Sequence, residues 1–164
     1  MAAPPEHPVA LVTGAGRGIG RAIAVRLATS GCRVAALART QSELQATVRE
    51  GAAVASYVPI LPVTADVTCD AALEQAVRLI IERLGRITIL INNAGFAPPR
   101  APLVKTPLAD SDRTLATCLR APMVLTRLVL PDMLAHKHGM IINIASIAGK
   151  KGRASVIAGD AVFP

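Results

Sequence analysis

The chain has 164 residues, 52% of them hydrophobic but only 2% aromatic, with a formal net charge of +7. This is enough for one domain that buries roughly 70% of the surface its unfolded chain would expose, and its aliphatic core suits a parallel sheet covered by helices. The composition speaks against disorder, no apolar run is long and uncharged enough to span a membrane, and Met1 to Pro8 lacks the pattern of a secretory signal.

Val9 to Val12 reads as the first strand and Ile19 to Ser30 as the first helix, closed by Gly31. Between them stands Thr13-Gly14-Ala15-Gly16-Arg17-Gly18-Ile19-Gly20. A strand that turns sharply into a helix needs residues free to take positive φ and to let a ligand approach the backbone. The helix then aims its unpaired N–H groups and positive dipole end at an anion. In this context the motif predicts dinucleotide binding, against the plainer reading of a tight turn with no ligand.

Arg33 to Leu37 follows as strand two, and Thr40-x-x-Glu43 reads as a capping box opening a helix that ends near Gly51. Strand three falls in the Tyr57 to Val63 region, interrupted by Pro59 and Pro62 as an edge strand tolerates. Asp70 starts a helix whose apolar face is Leu73, Ala76, Val77, Ile80, Ile81 and Leu84, and Gly85 stops it. Ile87 to Ile91 is a continuous apolar run, the mark of a buried parallel strand. After a proline-rich loop from Ala97 to Pro107, a long helical region spans about Asp110 to Ala135, and Met140 to Ile144 forms strand five. The alternation predicts an α/β fold with a doubly wound, mostly parallel sheet and ligands at the carboxyl ends of its strands.

Cys32, Cys69 and Cys118 are odd in number and far apart, which suits neither a disulfide framework nor a zinc cluster. No metal site is expected, and a reducing, cytoplasmic setting is the default. The basic residues are dispersed from Arg17 to Arg153, apart from Lys150-Lys151-Gly152-Arg153, and aromatics on which bases would stack are nearly absent. A small anionic ligand therefore explains the charge better than a nucleic acid does.

Strand four runs into Asn92-Asn93-Ala94-Gly95, and strand five into Asn143-Ile144-Ala145-Ser146-Ile147-Ala148-Gly149. Together with the glycine turn, Asp66-Val67 after strand three and Ser146-x-x-Gly149, these blocks resemble the short-chain dehydrogenase/reductase family over about residues 8 to 150. The resemblance implies a Rossmann-type fold over residues 1–149 and a nicotinamide dinucleotide across the switch point of the sheet. It places Asp66 and Val67 near the adenine and Asn92, Asn93, Ala94 and Gly95 on the nicotinamide side. Read without it, Asn92 and Asn93 are turn formers and Ser146 a helix cap.

Sites that take NAD(H) usually carry an acid at the end of strand two, where this chain has Ala36-Leu37-Ala38-Arg39. Arg39, with Arg17 in the glycine turn, favours NADP(H) over NAD(H), because a guanidinium fork matches a phosphate in shape and charge. A solvated surface arginine is the alternative for Arg39.

The catalytic end departs from the family, whose acid/base is the Tyr of a Tyr-x-x-x-Lys motif beyond the Ser. Thirteen residues past Ser146 stands Gly159, and four further Phe163. Tyr57 is the only tyrosine, and Lys150 and Lys151 lie too near Ser146 to serve by analogy. Cys118 stands where the family has an Asn in the long helix; a small, mostly buried helix residue is its plainer reading. Ser146 is then the only catalytic remnant. Residues 150–164 read as a short divergent tail, of the kind a frameshifted, alternatively spliced or truncated reading frame would leave, and the fold as C-terminally incomplete. Two functions follow. One is the cofactor-binding part of an NADP(H)-dependent oxidoreductase, without activity of its own. The other is a non-catalytic nucleotide-binding or dimerisation module that pairs with a second copy or a full-length relative.

Overall fold

The computed structural model describes residues 7–54, 59–99 and 101–146. Five parallel strands, β1 (Val9–Thr13), β2 (Arg33–Ala38), β3 (Leu61–Thr64), β4 (Ile87–Asn92) and β5 (Met140–Asn143), lie in the order β3-β2-β1-β4-β5. The chain steps outward from β1 to β3 and then returns to the other side of β1. The strand order therefore reverses between β1 and β4, and their carboxyl ends part to leave a crevice.

Parallel strands need crossovers, and α1 (Gly18–Thr29), α2 (Gln41–Val54) and α3 (Asp70–Leu84) supply the first three. The fourth is a longer helical segment made of α4 (Leu108–Leu115), a π-helical turn (Ala116–Arg120) and α5 (Ala121–Ala135). Side chains of β1 alternate between two cores. Ala10 and Val12 face Ala24 and Ala28 of α1 and Leu44 of α2, while Val9 and Leu11 face Leu73 and Ile80 of α3 and Leu125 and Val129 of α5. With both faces covered, the strands read as unbroken apolar runs. A register shift between Val9 and Ala10 skips Thr88. Its hydroxyl fills the gap by accepting the Val9 N–H at 3.2 Å.

Element boundaries agree with the sequence reading to within a few residues, with four differences. Ser30 caps α1, and Gly31, at φ 86°, is the residue after the cap that makes the left-handed turn. β3 begins only at Leu61, so Pro59 precedes it while Pro62 pairs with Ala36 inside it; the strand lies on the sheet edge, where a missing N–H is tolerated. Tyr57 lies outside the described residues. Ile81 is exposed although its neighbours Val77 and Ile80 are buried, because it sits at the margin of the α3 stripe. The single helix expected over 110–135 starts two residues earlier, at Leu108, and widens at Ala116–Arg120. Pro122, at the start of α5, has no N–H to return to Cys118, which accounts for the loosened turn. Residues 147–164, including Gly149, Lys150 and the tail, lie outside the described residues.

Candidate functional site

A cleft of about 570 Å³ opens at the carboxyl ends of β1 to β4. Its floor is the glycine turn. Gly14 and Gly18 have φ of 64° and 54°, values that L side chains rarely adopt. Packing also requires glycine at three positions of the turn, Gly14, Gly16 and Gly20. A Cβ on Gly20 would lie 2.3 Å from the Gly14 carbonyl oxygen, and one on Gly14 would lie 2.9 Å from the Ala94 Cα. Around Gly18, by contrast, there is open space. α1 thus starts with its first N–H groups toward the cleft, and its N-cap residue, Arg17, makes no side-chain cap bond. Donors left free at a helix start, with the dipole behind them, suit an anion.

The turn is held against β4 by one hydroxyl and one amide. Thr13 Oγ1 accepts the N–H groups of both Asn93 and Ala94 at 2.9 Å, and donates to the Ile91 carbonyl at 3.3 Å. Asn93 Nδ2 in turn donates to the Thr13 carbonyl at 2.9 Å. Thr13 is 2% exposed, so its side chain acts through the turn and touches nothing in the cleft. Asn92 is buried as well, and its Nδ2 donates to Asn143 Oδ1 at 2.8 Å, tying β4 to β5. Its own Oδ1 is buried with no hydrogen-bond partner, beside a second cavity of about 250 Å³ against Cys118 and Met123.

Of the other residues singled out from sequence, Gly16, Arg17, Ile19, Arg39, Asp66, Val67 and Gly95 line the main cleft with Gly14, Gly18, Gly20, Asn93 and Ala94. Ser146 follows β5 and lines neither cavity. Burial pushes the Asp66 carboxyl up, but hydrogen bonds from the Thr68 N–H and hydroxyl and the charges of Arg39 and Arg113 outweigh it, and the net shift is downward. Asp66 is therefore a carboxylate at neutral pH. Cys118 is the opposite case: burial raises its thiol, and the Phe96 N–H, 3.5 Å from the sulfur, only partly offsets this. It is a protonated packing residue.

Besides Ala38, Thr40 and Ala65, four further wall residues escaped the sequence reading as cleft residues. Phe96, Arg113 and Thr117 close one side, with the Arg113 guanidinium 4.2 Å from the Phe96 ring centre, and Glu43 closes the other. Arg113 and Thr117 are brought there by the approach of α4 and the π-helical turn, a long-range contact without a local signal. Glu43, which closes the Thr40-x-x-Glu43 capping pattern, turns its carboxylate to Arg17, Oε1 to Nε 4.0 Å. Among the described residues, no cluster of three or more His, Cys, Asp or Glu is placed to hold a metal ion. No helix among them is long and apolar enough to cross a membrane.

Compared with known families, residues 8–159 match short chain dehydrogenase, and the chain belongs to that family. Among curated relatives, it is 34% identical over 146 residues to the NADPH-dependent pterin aldehyde reductase of Arabidopsis thaliana, covering 89% of this chain and 59% of that protein. A crystal structure of a metagenomic short-chain oxidoreductase in complex with NADP superposes with a TM-score of 0.89 at 38% identity, over 95% of this chain and 70% of that one. NAD+-bound xylitol dehydrogenase gives a TM-score of 0.89 at 31% identity, over 95% and 59%. The chain spans about half the length of the curated relatives it matches, 59% of the Arabidopsis protein among them. These likenesses bear out the doubly wound parallel sheet and the family. They include both an NADP complex and an NAD+ complex.

Proposed function

We propose that this chain binds a nicotinamide dinucleotide along the cleft, NADP(H) in preference to NAD(H), as the cofactor-holding part of an oxidoreductase for carbonyls or secondary alcohols. The observation that carries this reading is the uncapped start of α1, open onto the cleft between Arg17 and Arg39. The residues fit the group. All of these line the cleft: Gly16, Gly18 and Ile19 would offer backbone to a pyrophosphate, Asp66 and Val67 would border the adenine, and Ala94 and Gly95 the nicotinamide. The bound nicotinamide would supply the hydride chemistry. Thr13 and Asn93 then keep the turn and the Asn-Asn-Ala-Gly block in register, and Arg39 meets the 2′-phosphate. Removing a charge-assisted contact of this kind costs about 1.5–3 kcal/mol, roughly ten- to a hundredfold in affinity. Calorimetric titration is expected to show NADPH binding more tightly than NADH and the preference lost in Arg39→Asp; equal affinities in the parent chain would refute the assignment.

A second reading concerns the polypeptide's own activity. Gly159 and Phe163 stand where the family's Tyr and Lys are expected, and Cys118 where it has an Asn. A positioned acid/base contributes about 10²–10⁴-fold, so this chain should turn over no carbonyl at a meaningful rate by itself and should act as a nucleotide-binding module. The outward-facing Leu115, Leu119 and Met123 on its long helical segment would support pairing with a second copy or a longer relative. NADPH oxidation with a panel of ketones and aldehydes is the assay. Turnover that disappears in Ser146→Ala would overturn this reading.

A further inference from the structure

The first turn of α2 packs directly on the glycine turn. A Cβ on Gly16 would sit 2.9 Å from the Glu43 Cβ and 3.0 Å from its Oε2. The Glu43 side chain therefore packs closely on the Gly16 backbone, in space that any other residue at 16 would fill. Its carboxylate stands in the same cleft as Arg17 and Arg39, the two groups assigned to a 2′-phosphate. Arg17 Nε lies 4.0 Å from Glu43 Oε1, with side-chain exposures of 82% and 36%. A solvated pair at that separation is weak and readily exchanged for another partner.

We infer that Glu43 is a specificity-determining residue that works against the 2′-phosphate. The inference rests on the NADP(H) reading of the cleft. Without ligand, Glu43 occupies Arg17. An incoming 2′-phosphate has to draw Arg17 away and then remain near a carboxylate of its own sign. A cofactor with a 2′-hydroxyl meets neither obstacle. Arg17 and Arg39 therefore give less discrimination than two unopposed guanidinium groups would, and Glu43 sets how much less. Specificity is a difference of affinities, and a repulsive group in the site changes it as surely as an attractive one.

Titration with 2′,5′-ADP and 5′-AMP isolates the phosphate in question from the nicotinamide. Glu43→Gln keeps the stem that packs on Gly16 and removes the charge. It should bind 2′,5′-ADP roughly three- to tenfold more tightly than the parent chain, with 5′-AMP changed by less than about twofold. Glu43→Asp, which keeps the charge, should give no such gain. Unchanged 2′,5′-ADP affinity in Glu43→Gln overturns the inference while leaving the NADP(H) reading intact. A fall in 5′-AMP affinity with 2′,5′-ADP unaltered also overturns it, because Glu43 would then be holding a ribose hydroxyl. Lack of preference for 2′,5′-ADP over 5′-AMP in the parent chain overturns both the reading and the inference.

Discussion

β1 and β5 both run parallel to β4 and both lead into residues singled out from the sequence, but their surroundings differ. All five residues of β1 are buried, with β2 and β4 on its flanks and helices on both faces. Of the four residues of β5, three are exposed, and among the described residues it has β4 on one side alone. The glycine turn after β1 is thus anchored to β4 through Thr13 and Asn93 and closely packed at Gly14, Gly16 and Gly20, whereas Asn143 lies on a strand that, among the described residues, is paired along one edge. Two motifs of equal clarity in sequence can differ widely in how firmly the fold defines them.

Paired truncations test this contrast most strongly. Leu11→Ala in β1 removes a fully buried side chain and should cost about 2–5 kcal/mol, whereas Met140→Ala in β5, where the side chain is 56% exposed, should stay within about 0.5 kcal/mol. Urea denaturation of both variants measures the gap. A loss at Met140 comparable with that at Leu11 would show that β5 is covered in solution.

A smaller effect is expected from Thr13→Val, which keeps the shape but removes the acceptor for two N–H groups. Leaving a buried donor unsatisfied costs about 1–3 kcal/mol, and Thr13→Ser should restore most of the loss. The same unfolding measurement decides it. If Val is tolerated without loss, the turn is held by packing alone.

The smallest effect is pH dependence at Asp66. Its folded-state pKa is lowered, so the stabilisation is complete above the ordinary carboxylate value of about 3.9 and fades as pH falls through the lower folded value. The stability difference between the parent chain and Asp66→Asn should therefore be level from neutral pH to about pH 5 and shrink below pH 4. A difference that grows on acidification would mean the sign is wrong.

How much could be read in advance follows from the range of each signal. The glycine turn, the α3 stripe and the apolar run of β4 are local patterns, and each fell within a few residues of its place. The Asn-Asn-Ala-Gly block was legible by resemblance, but not the division of labour within it. In the structure Asn92 ties β4 to β5, Asn93 ties β4 to the glycine turn, and Ala94 and Gly95 face the cleft. Glu43 was legible as a residue of a helix start but not as part of the cleft wall, because a capping pattern and a cleft wall place the same residue at the same helix start. Phe96 and Arg113 were illegible: their meeting depends on how a loop and a distant helix pack, which no periodicity encodes.

The π-helical turn at Ala116–Arg120 sets the rotational phase between two rods. One extra residue per turn lets α4 present Arg113 to the cleft while α5 keeps Ala121, Leu125, Val129 and Met133 on the sheet. An α-helix advances about 100° per residue. Deleting a single residue from that turn would leave every side chain of α4 intact and swing them all by that angle relative to α5, so that Arg113 leaves Phe96 without any change to either.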